Sequence, residues 1–168
     1  MKNMAIITDI SGISREISCI ACGIQSGEVR LPVERLAETE RFVLEQDFEW
    51  PIEGFLIVAS KRHVFCLDEL SEEEMKECFA LVRKARKALR EVIGTKYVTL
   101  VLHEKTPTSH FHVWIFPWHD WMLEGFSGKP HEVLDVMKFA KEHFSGEEHL
   151  NAIRATAEKI RKAMIQES

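Results

Sequence analysis

The segment 110–116 constrains the fold of this chain more than any other stretch of its sequence. It reads His-Phe-His-Val-Trp-Ile-Phe, so polar or aromatic side chains alternate with apolar ones. Because successive side chains of a β-strand point to opposite faces, this alternation predicts a strand with His110, His112 and Trp114 on one face. The opposite face is apolar and anchors the strand in the core. We interpret the histidine face as exposed to solvent and suited to chemistry.

The rest of the chain alternates pairs of strands with helices. Strands are predicted at 40–46, 54–60, 96–102 and along the histidine segment, and helices at 71–94, about 130–144 and 147–165. The first of these helices begins at Ser71, which forms a capping box with Glu74, and it ends at Gly94. Strands that arrive in pairs favour an antiparallel sheet. We therefore predict an α+β fold with a long helix packed on the sheet and additional C-terminal helices.

Length and charge exclude several classes of protein. A chain of 168 residues predicts a single domain over 1–168. No apolar run approaches the ~18 residues of a membrane span, and no signal segment is recognisable at the N-terminus. We therefore expect a cytoplasmic protein with no membrane partner. The net charge of -5 argues against a nucleic-acid partner.

Two cysteines and two histidines form a candidate metal site. Cys19 and Cys22 are a Cys-x-x-Cys pair, while His63 follows a predicted strand and His110 begins another. A Cys-x-x-Cys pair alone also fits a redox dithiol or two buried thiols, but neither alternative needs the histidines. Structural zinc takes Cys2His2 sets in tetrahedral geometry. The sequence thus favours a closed, structural zinc site that fixes His110 and its strand.

If His110 is a ligand, His112 is the remaining imidazole on that strand face. A neutral imidazole is a competent nucleophile toward phosphorus and forms a phosphoramidate that water or another acceptor later breaks. The alternative is a histidine with a purely structural role. We interpret His112 as the catalytic nucleophile.

The motifs resemble those of a known family. The segment 110–116 is similar to the motif His-φ-His-φ-His-φ-φ (φ apolar) of the histidine triad superfamily of nucleotidyl hydrolases and transferases, with Trp114 at the third histidine. The segment 54–63 looks like the family's Gly-His-x-Leu-Val-Ile-Pro-Lys-x-His stretch. The Cys19/Cys22 pair is similar to that of the zinc-binding, bacterial-type branch. This resemblance implies a histidine triad core at about 15–122, followed by a helical extension at about 128–166.

The resemblance also implies roles for individual residues. His112 would attack the α-phosphorus of a nucleotide, and Asp47 would bind the ribose hydroxyls. Other implied substrate-binding residues are His103, Thr106, Thr108, Ser109 and Trp114. Apolar side chains would line a base pocket, with Phe42, Phe48 and Ile20 as candidates. A homodimer is implied as well.

The leading functional hypothesis is a nucleotide phosphohydrolase or nucleotidyltransferase acting on dinucleoside polyphosphates or nucleoside phosphoramidates. An indole N–H donates a hydrogen bond but cannot accept one or shuttle a proton. Because Trp114 replaces the third histidine, the alternative hypothesis for the function is a nucleotide-binding or interaction module. Such a module retains the fold and the zinc but has little or no activity. Action on adenylated nucleic-acid ends is a third, less favoured hypothesis because the chain is acidic.

Overall fold

The computed structural model describes residues 5–104 and 110–166. Over these residues the chain forms a two-stranded hairpin, a five-stranded antiparallel sheet and helices, which confirms the α+β fold. The strands are β1 (Ala5–Thr8), β2 (Ser14–Ile17), β3 (Ala37–Glu38), β4 (Phe42–Gln46), β5 (Leu56–Ser60), β6 (Val98–Leu102) and β7 (His112–Pro117). The helices are α1 (Ile20–Ser26), α2 (Glu72–Ile93), α3 (Asp120–Gly125), α4 (Val133–His143) and α5 (Glu147–Gln166).

The histidine strand β7 lies inside the large sheet. The strand order is β3-β4-β5-β7-β6, so β7 has a hydrogen-bonded neighbour on each side. In the antiparallel registers, His112 pairs with Ala59 of β5, and Trp114 pairs with Ile57 of β5 and Val101 of β6. Since a slip of one residue would turn every side chain to the other face, pairing on both sides fixes the direction of the histidines.

The predicted start and end of α2 are confirmed. Ser71 Oγ accepts a hydrogen bond from the N–H of Glu74 at 3.2 Å, and Glu74 Oε2 accepts one from the N–H of Ser71 at 2.9 Å. Gly94 follows the helix with φ +69°, a left-handed conformation that glycine adopts without a side-chain clash.

The main core lies between one face of the sheet and the helices α2 and α5. Its buried side chains include Phe111, Val113 and Ile115, the apolar positions of the alternating segment. Full burial of a side chain of this size contributes roughly 1.5–3 kcal/mol. In the described part of the chain, no helix combines the length and apolar character that spanning a bilayer requires.

The histidine face of the sheet is partly covered, whereas the alternation led us to interpret it as exposed. Only 6% of His110 is accessible. Phe116 lies on the same face and belongs to a second core that includes Met122 of α3 and Met137 of α4. The alternation predicted which side chains share a face, but a second apolar layer built from distant residues covers part of that face.

Several elements were not predicted. The N-terminal residues form the β1–β2 hairpin, and α1 begins directly after Cys19. The helices α1 and α3 are too short to show a clear helical repeat in the sequence. The helix at about 130–144 was predicted, but it begins with a separate 3₁₀ turn at Pro130–Glu132 before α4.

Candidate active site and metal centre

The predicted metal ligands come together at one end of the large sheet. Cys19 precedes α1 and Cys22 lies within its first turn, so the two thiols face the same direction. His63 follows β5 and His110 precedes β7, and these two strands are neighbours. The four donor atoms all lie within 4.8 Å of one another. The described residues therefore offer two thiol sulfurs and two imidazole nitrogens around one point.

Both histidines present Nδ1 to the thiols. The Nδ1 atom of His63 lies 3.5 Å from Cys19 Sγ and 3.1 Å from Cys22 Sγ. The corresponding distances from His110 Nδ1 are 3.4 and 3.6 Å. His110 Nε2 lies 2.7 Å from the carbonyl oxygen of Ser60. A carbonyl oxygen only accepts hydrogen bonds, so Nε2 carries the proton and Nδ1 keeps its lone pair toward the thiols.

The remaining cysteines lie outside this cluster. Cys78 is buried in the main core, and Cys66 donates from Sγ to Glu69 Oε1 at 3.2 Å.

Within the cluster, burial is the main cause that raises the pKa of the Cys22 thiol to about 11, and the neighbouring Cys19 adds to this effect. A metal ion that binds the Cys22 sulfur at neutral pH must therefore displace a proton.

His112 lies two residues along the strand and faces a pocket. Its Nδ1 is 2.7 Å from the carbonyl oxygen of His110. The Nδ1 atom therefore carries the proton, and the other ring nitrogen, Nε2, is unprotonated when the ring is neutral. Burial lowers the pKa of His112, and this effect outweighs the hydrogen bond to His110 that raises it. The neutral ring is thus favoured at pH 7.

The pocket encloses about 350 Å³, which is at the lower end of the usual range for small-molecule sites. Its walls come from the sheet, from α1, from the 46–50 turn and from α4. The lining is mainly apolar and includes Ile20, Ile24, Phe48, Trp50, Ile57, Leu134 and Met137. The polar lining includes Glu45, Asp47, His103 and His112.

Asp47 is held in a fixed orientation at this pocket. Its Oδ1 accepts hydrogen bonds from the N–H groups of Glu49 and Trp50 at 2.8 and 2.7 Å. The residue is 4% accessible, and burial raises the pKa of its carboxyl to about 7. Its second oxygen is available to a ligand, because the backbone contacts use Oδ1 alone.

Trp114 lies near two histidines, His112 and His103, on the pocket face. Its ring centroid is 5.9 Å from that of His112 and 6.4 Å from that of His103. On its other side it makes an edge contact with Phe55 in the second core. The indole thus lines the pocket and is fixed by packing.

The structure brings most of the predicted site residues together, with some exceptions. Thr106, Thr108 and Ser109 lie outside the described residues. Phe42 was wrongly expected in the base pocket: it is buried in the main core and contacts Phe111 on the far side of the sheet. Sequence reasoning missed Leu134 and Met137 of α4. No motif signals them, because that helix reaches the pocket only through tertiary packing.

Comparison with known proteins identifies the family. No protein-family model matches the chain. An adenosine 5′-monophosphoramidase of Schizosaccharomyces pombe is 30% identical to it over 103 residues, which cover 58% of this chain and 73% of that protein. The chain belongs to the histidine triad family.

Solved structures share the fold. A zinc-bound histidine triad family protein from Mycobacterium smegmatis has a TM-score of 0.63 at 19% identity, covering 89% of this chain and 94% of that one. A hypothetical histidine triad nucleotide-binding protein from Sulfolobus tokodaii has a TM-score of 0.62 at 20% identity, covering 88% and 93%. The aligned part covers 89% of the chain and is much longer than residues 15–122, so the similarity extends beyond that range. The C-terminal helices are therefore partly included in it.

Proposed function

We propose that this protein is a nucleotide hydrolase or nucleotidyltransferase in which His112 attacks the α-phosphorus of the substrate. The hydrogen bond from His112 Nδ1 to the His110 carbonyl is the observation that carries the proposal. It fixes the ring and its tautomer, and it leaves the Nε2 lone pair as the nucleophile. Because the pocket wall includes His112, a phosphate bound there lies within reach of this atom.

The reaction has two steps. In the first, the Nε2 lone pair forms a bond to phosphorus while the bond to the leaving group breaks, giving a nucleotidyl-histidine. In the second, water or another acceptor attacks the same phosphorus, and the electrons of the P–N bond return to Nε2. The lowered pKa of His112 keeps the ring neutral, which the first step requires.

Nucleoside phosphoramidates are the favoured substrates, with dinucleoside polyphosphates as the second class. The S. pombe relative is named as an adenosine 5′-monophosphoramidase, and the aligned part covers most of its length. We assign Asp47 to the ribose hydroxyls, His103 and Trp114 to the phosphate end, and the apolar walls to the base. Thr106, Thr108 and Ser109 stay predicted phosphate contacts.

We also propose a structural zinc ion held by Cys19, Cys22, His63 and His110. With zinc–sulfur bonds of about 2.3 Å and zinc–nitrogen bonds of about 2.0 Å, a tetrahedral ion needs sulfur and nitrogen about 3.5 Å apart. The sulfur–nitrogen distances of 3.1 to 3.6 Å in the structure fit this requirement. Four protein ligands leave no open position, so the ion's contribution is to hold α1 against the strand ends and to fix His110.

A second candidate function follows from Trp114. An indole cannot exchange a proton, so the alternative is that a chain with Trp114 in place of the third histidine binds nucleotides without turning them over. Such a protein would be a binding or interaction module that keeps the same fold. Micromolar nucleotide binding without any product would favour this alternative.

One experiment separates the two functions. Wild type and His112→Ala are incubated with adenosine phosphoramidates and dinucleoside polyphosphates, and AMP release is measured. Acid-quenched samples are analysed by mass spectrometry for an adenylyl group on His112. We expect turnover and adduct from wild type alone, with equal folding and zinc content in both proteins. Activity of His112→Ala equal to that of wild type would refute the nucleophile.

We further propose that the chain forms a homodimer through the β6 edge of the sheet. β6 is the last strand in the order, and apolar side chains are exposed on and beside it: Tyr97, Leu100 and Leu102 are 61%, 50% and 39% accessible. Unpaired strand edges with apolar side chains favour pairing with another chain. Sedimentation equilibrium of wild type and Leu100→Asp would test this, with dimer expected for wild type only.

A further inference from the structure

His103 lies directly after β6, beside the histidine strand. The last described pair of the β6–β7 ladder joins Leu102 to Val113, and the pair before it joins Val101 to Trp114. Continuing this antiparallel register by one residue sets His103 opposite His112. Side chains at opposing positions of an antiparallel pair have Cβ atoms about 5 Å apart.

The pocket confirms that both rings are on the same side. His103 and His112 line the same cavity, and both flank the Trp114 ring at centroid distances of 6.4 and 5.9 Å. His103 itself is exposed at the pocket wall.

The carboxyl groups of the pocket have other partners or another assigned role. Glu45 pairs with Arg35 at 2.9 Å, and Glu49 pairs with Lys141 at 3.2 Å. Asp47 accepts hydrogen bonds from two backbone N–H groups through Oδ1 at 2.8 and 2.7 Å, and its other oxygen is assigned to the ribose hydroxyls. Trp114 offers an N–H that it cannot release. An imidazole, by contrast, gives and takes protons near neutral pH.

We propose that His103 is the general acid that protonates the leaving group, a role that Trp114 cannot perform. This inference rests on the proposed function, because it assigns a second catalytic residue to the same reaction. The role applies to the phosphoramidates of the proposed function, because the nitrogen of a basic amine must gain a proton before it can depart.

The proton balance is as follows. While His112 Nε2 bonds to phosphorus, the P–N bond to the amine breaks and its electrons stay on the amine nitrogen. That nitrogen takes a proton from the His103 imidazolium, which becomes neutral. In the second step, neutral His103 accepts a proton from the attacking water, and the electrons of the P–N bond return to His112. Both histidines regain their starting states.

Dependence on the leaving group tests this role. The zinc-loaded full chain, His103→Asn and His103→Gln are compared on two substrates: an AMP phosphoramidate of an alkylamine, and the p-nitrophenyl ester of AMP. The phenolate of the second substrate departs without protonation. The measured quantity is kcat/KM, which includes the steps only up to departure of the leaving group. His131→Asn is the control, since it removes an exposed imidazole that does not line the pocket.

We expect kcat/KM of both His103 variants to fall by about 10²- to 10³-fold on the alkylamine substrate. On the p-nitrophenyl ester they should lose less than about threefold. His131→Asn should match wild type on both. Equal losses on the two substrates, or no loss on either, would overturn the role of His103 while leaving the proposed function in place. If wild type turned over neither substrate, both the proposed function and this inference would fail.

Discussion

The Nδ1 atom of His112 lies 2.7 Å from the carbonyl oxygen of His110, whose own Nδ1 lies 3.4 and 3.6 Å from the sulfurs of Cys19 and Cys22. The orientation of the proposed nucleophile is thus set by the backbone of a proposed metal ligand. A shift of His110 would move the acceptor that fixes the His112 tautomer. We therefore expect the metal centre and the active site to depend on each other.

Cys22→Ser tests this dependence. We expect about one zinc per chain in wild type and none in the variant, measured by elemental analysis of unchelated protein. Unfolding free energy should fall by about 3 kcal/mol where free zinc exceeds its dissociation constant a hundredfold. Turnover should fall by about 10- to 100-fold because the orientation of His112 is lost. Cys66→Ser, outside the cluster, is the control. Equal zinc in wild type and Cys22→Ser would contradict the ligand set.

Asp47→Asn tests the ribose contact. Asparagine keeps an oxygen for the N–H groups of Glu49 and Trp50 but loses the free carboxylate oxygen. We expect KM for a ribonucleoside substrate to rise about tenfold, a cost of ~1.4 kcal/mol for one charge-assisted hydrogen bond, with kcat nearly unchanged. The matching 2′-deoxy substrate should show little change.

The pH dependence of this preference has a definite sign. Because burial raises the pKa of Asp47 to about 7, its carboxyl ionises only as the pH rises through that value. The charged form accepts hydrogen bonds more strongly, so the preference of wild type for ribose over deoxyribose should grow from pH 6 to pH 8, roughly one unit either side of this pKa. A preference that does not change with pH would argue against Asp47 as the ribose ligand.

Glu74→Gln tests an ion pair at the start of α2. Arg62 approaches Glu74 with Nε at 2.6 Å, and this pair holds the pKa of Glu74 at about 2, below its ordinary 4.5. Glutamine keeps the capping hydrogen bond to Ser71 but loses the charge. We expect the free energy of unfolding to fall by about 1 kcal/mol at pH 7. The loss is small because Arg62 is half exposed to solvent.

Acidic pH should remove the stability difference between wild type and Glu74→Gln. A carboxyl whose folded pKa is lowered stabilises the protein above its unfolded pKa, and the effect is lost as the pH falls through the folded value. Urea denaturation of wild type and Glu74→Gln should therefore converge between about pH 5 and pH 2. Glu73→Gln, an exposed neighbour, should show no such trend. A difference that persists at low pH would point to packing rather than charge.

Gly54→Ala tests the turn before β5. Gly54 has φ +67°, and a Cβ there would lie 2.9 Å from Leu89 Cδ2 in the main core. Gly94 has nearly the same φ, +69°, with nothing within 4 Å of its Cβ position. Gly94→Ala should lower the free energy of unfolding by about 1–2 kcal/mol through backbone strain alone. Gly54→Ala should cost about 1–3 kcal/mol more from overpacking. Equal unfolding free energies for the two variants would show that Leu89 moves aside freely.

The strongly patterned parts of the fold were predictable because their signals are local. Ser71, Glu74 and Gly94 mark the ends of α2 through hydrogen bonds and backbone angles within a few residues. The alternation from His110 to Phe116 predicted β7 for the same reason. The segments without such a pattern, α1 and α3, were not predicted, because their conformation depends on packing against distant residues.

The sequence by itself determined the fold class, the shared face of His110, His112 and Trp114, and the identity of the clustered cysteines and histidines. Residue type and period-two geometry carry that information. Only the tertiary structure decided that this face is partly covered, that α4 supplies Leu134 and Met137 to the pocket, and that Phe42 lies on the opposite side of the sheet. It also set the β6–β7 register, which continued by one residue places His103 opposite His112, because register is a property of paired strands rather than of either segment alone.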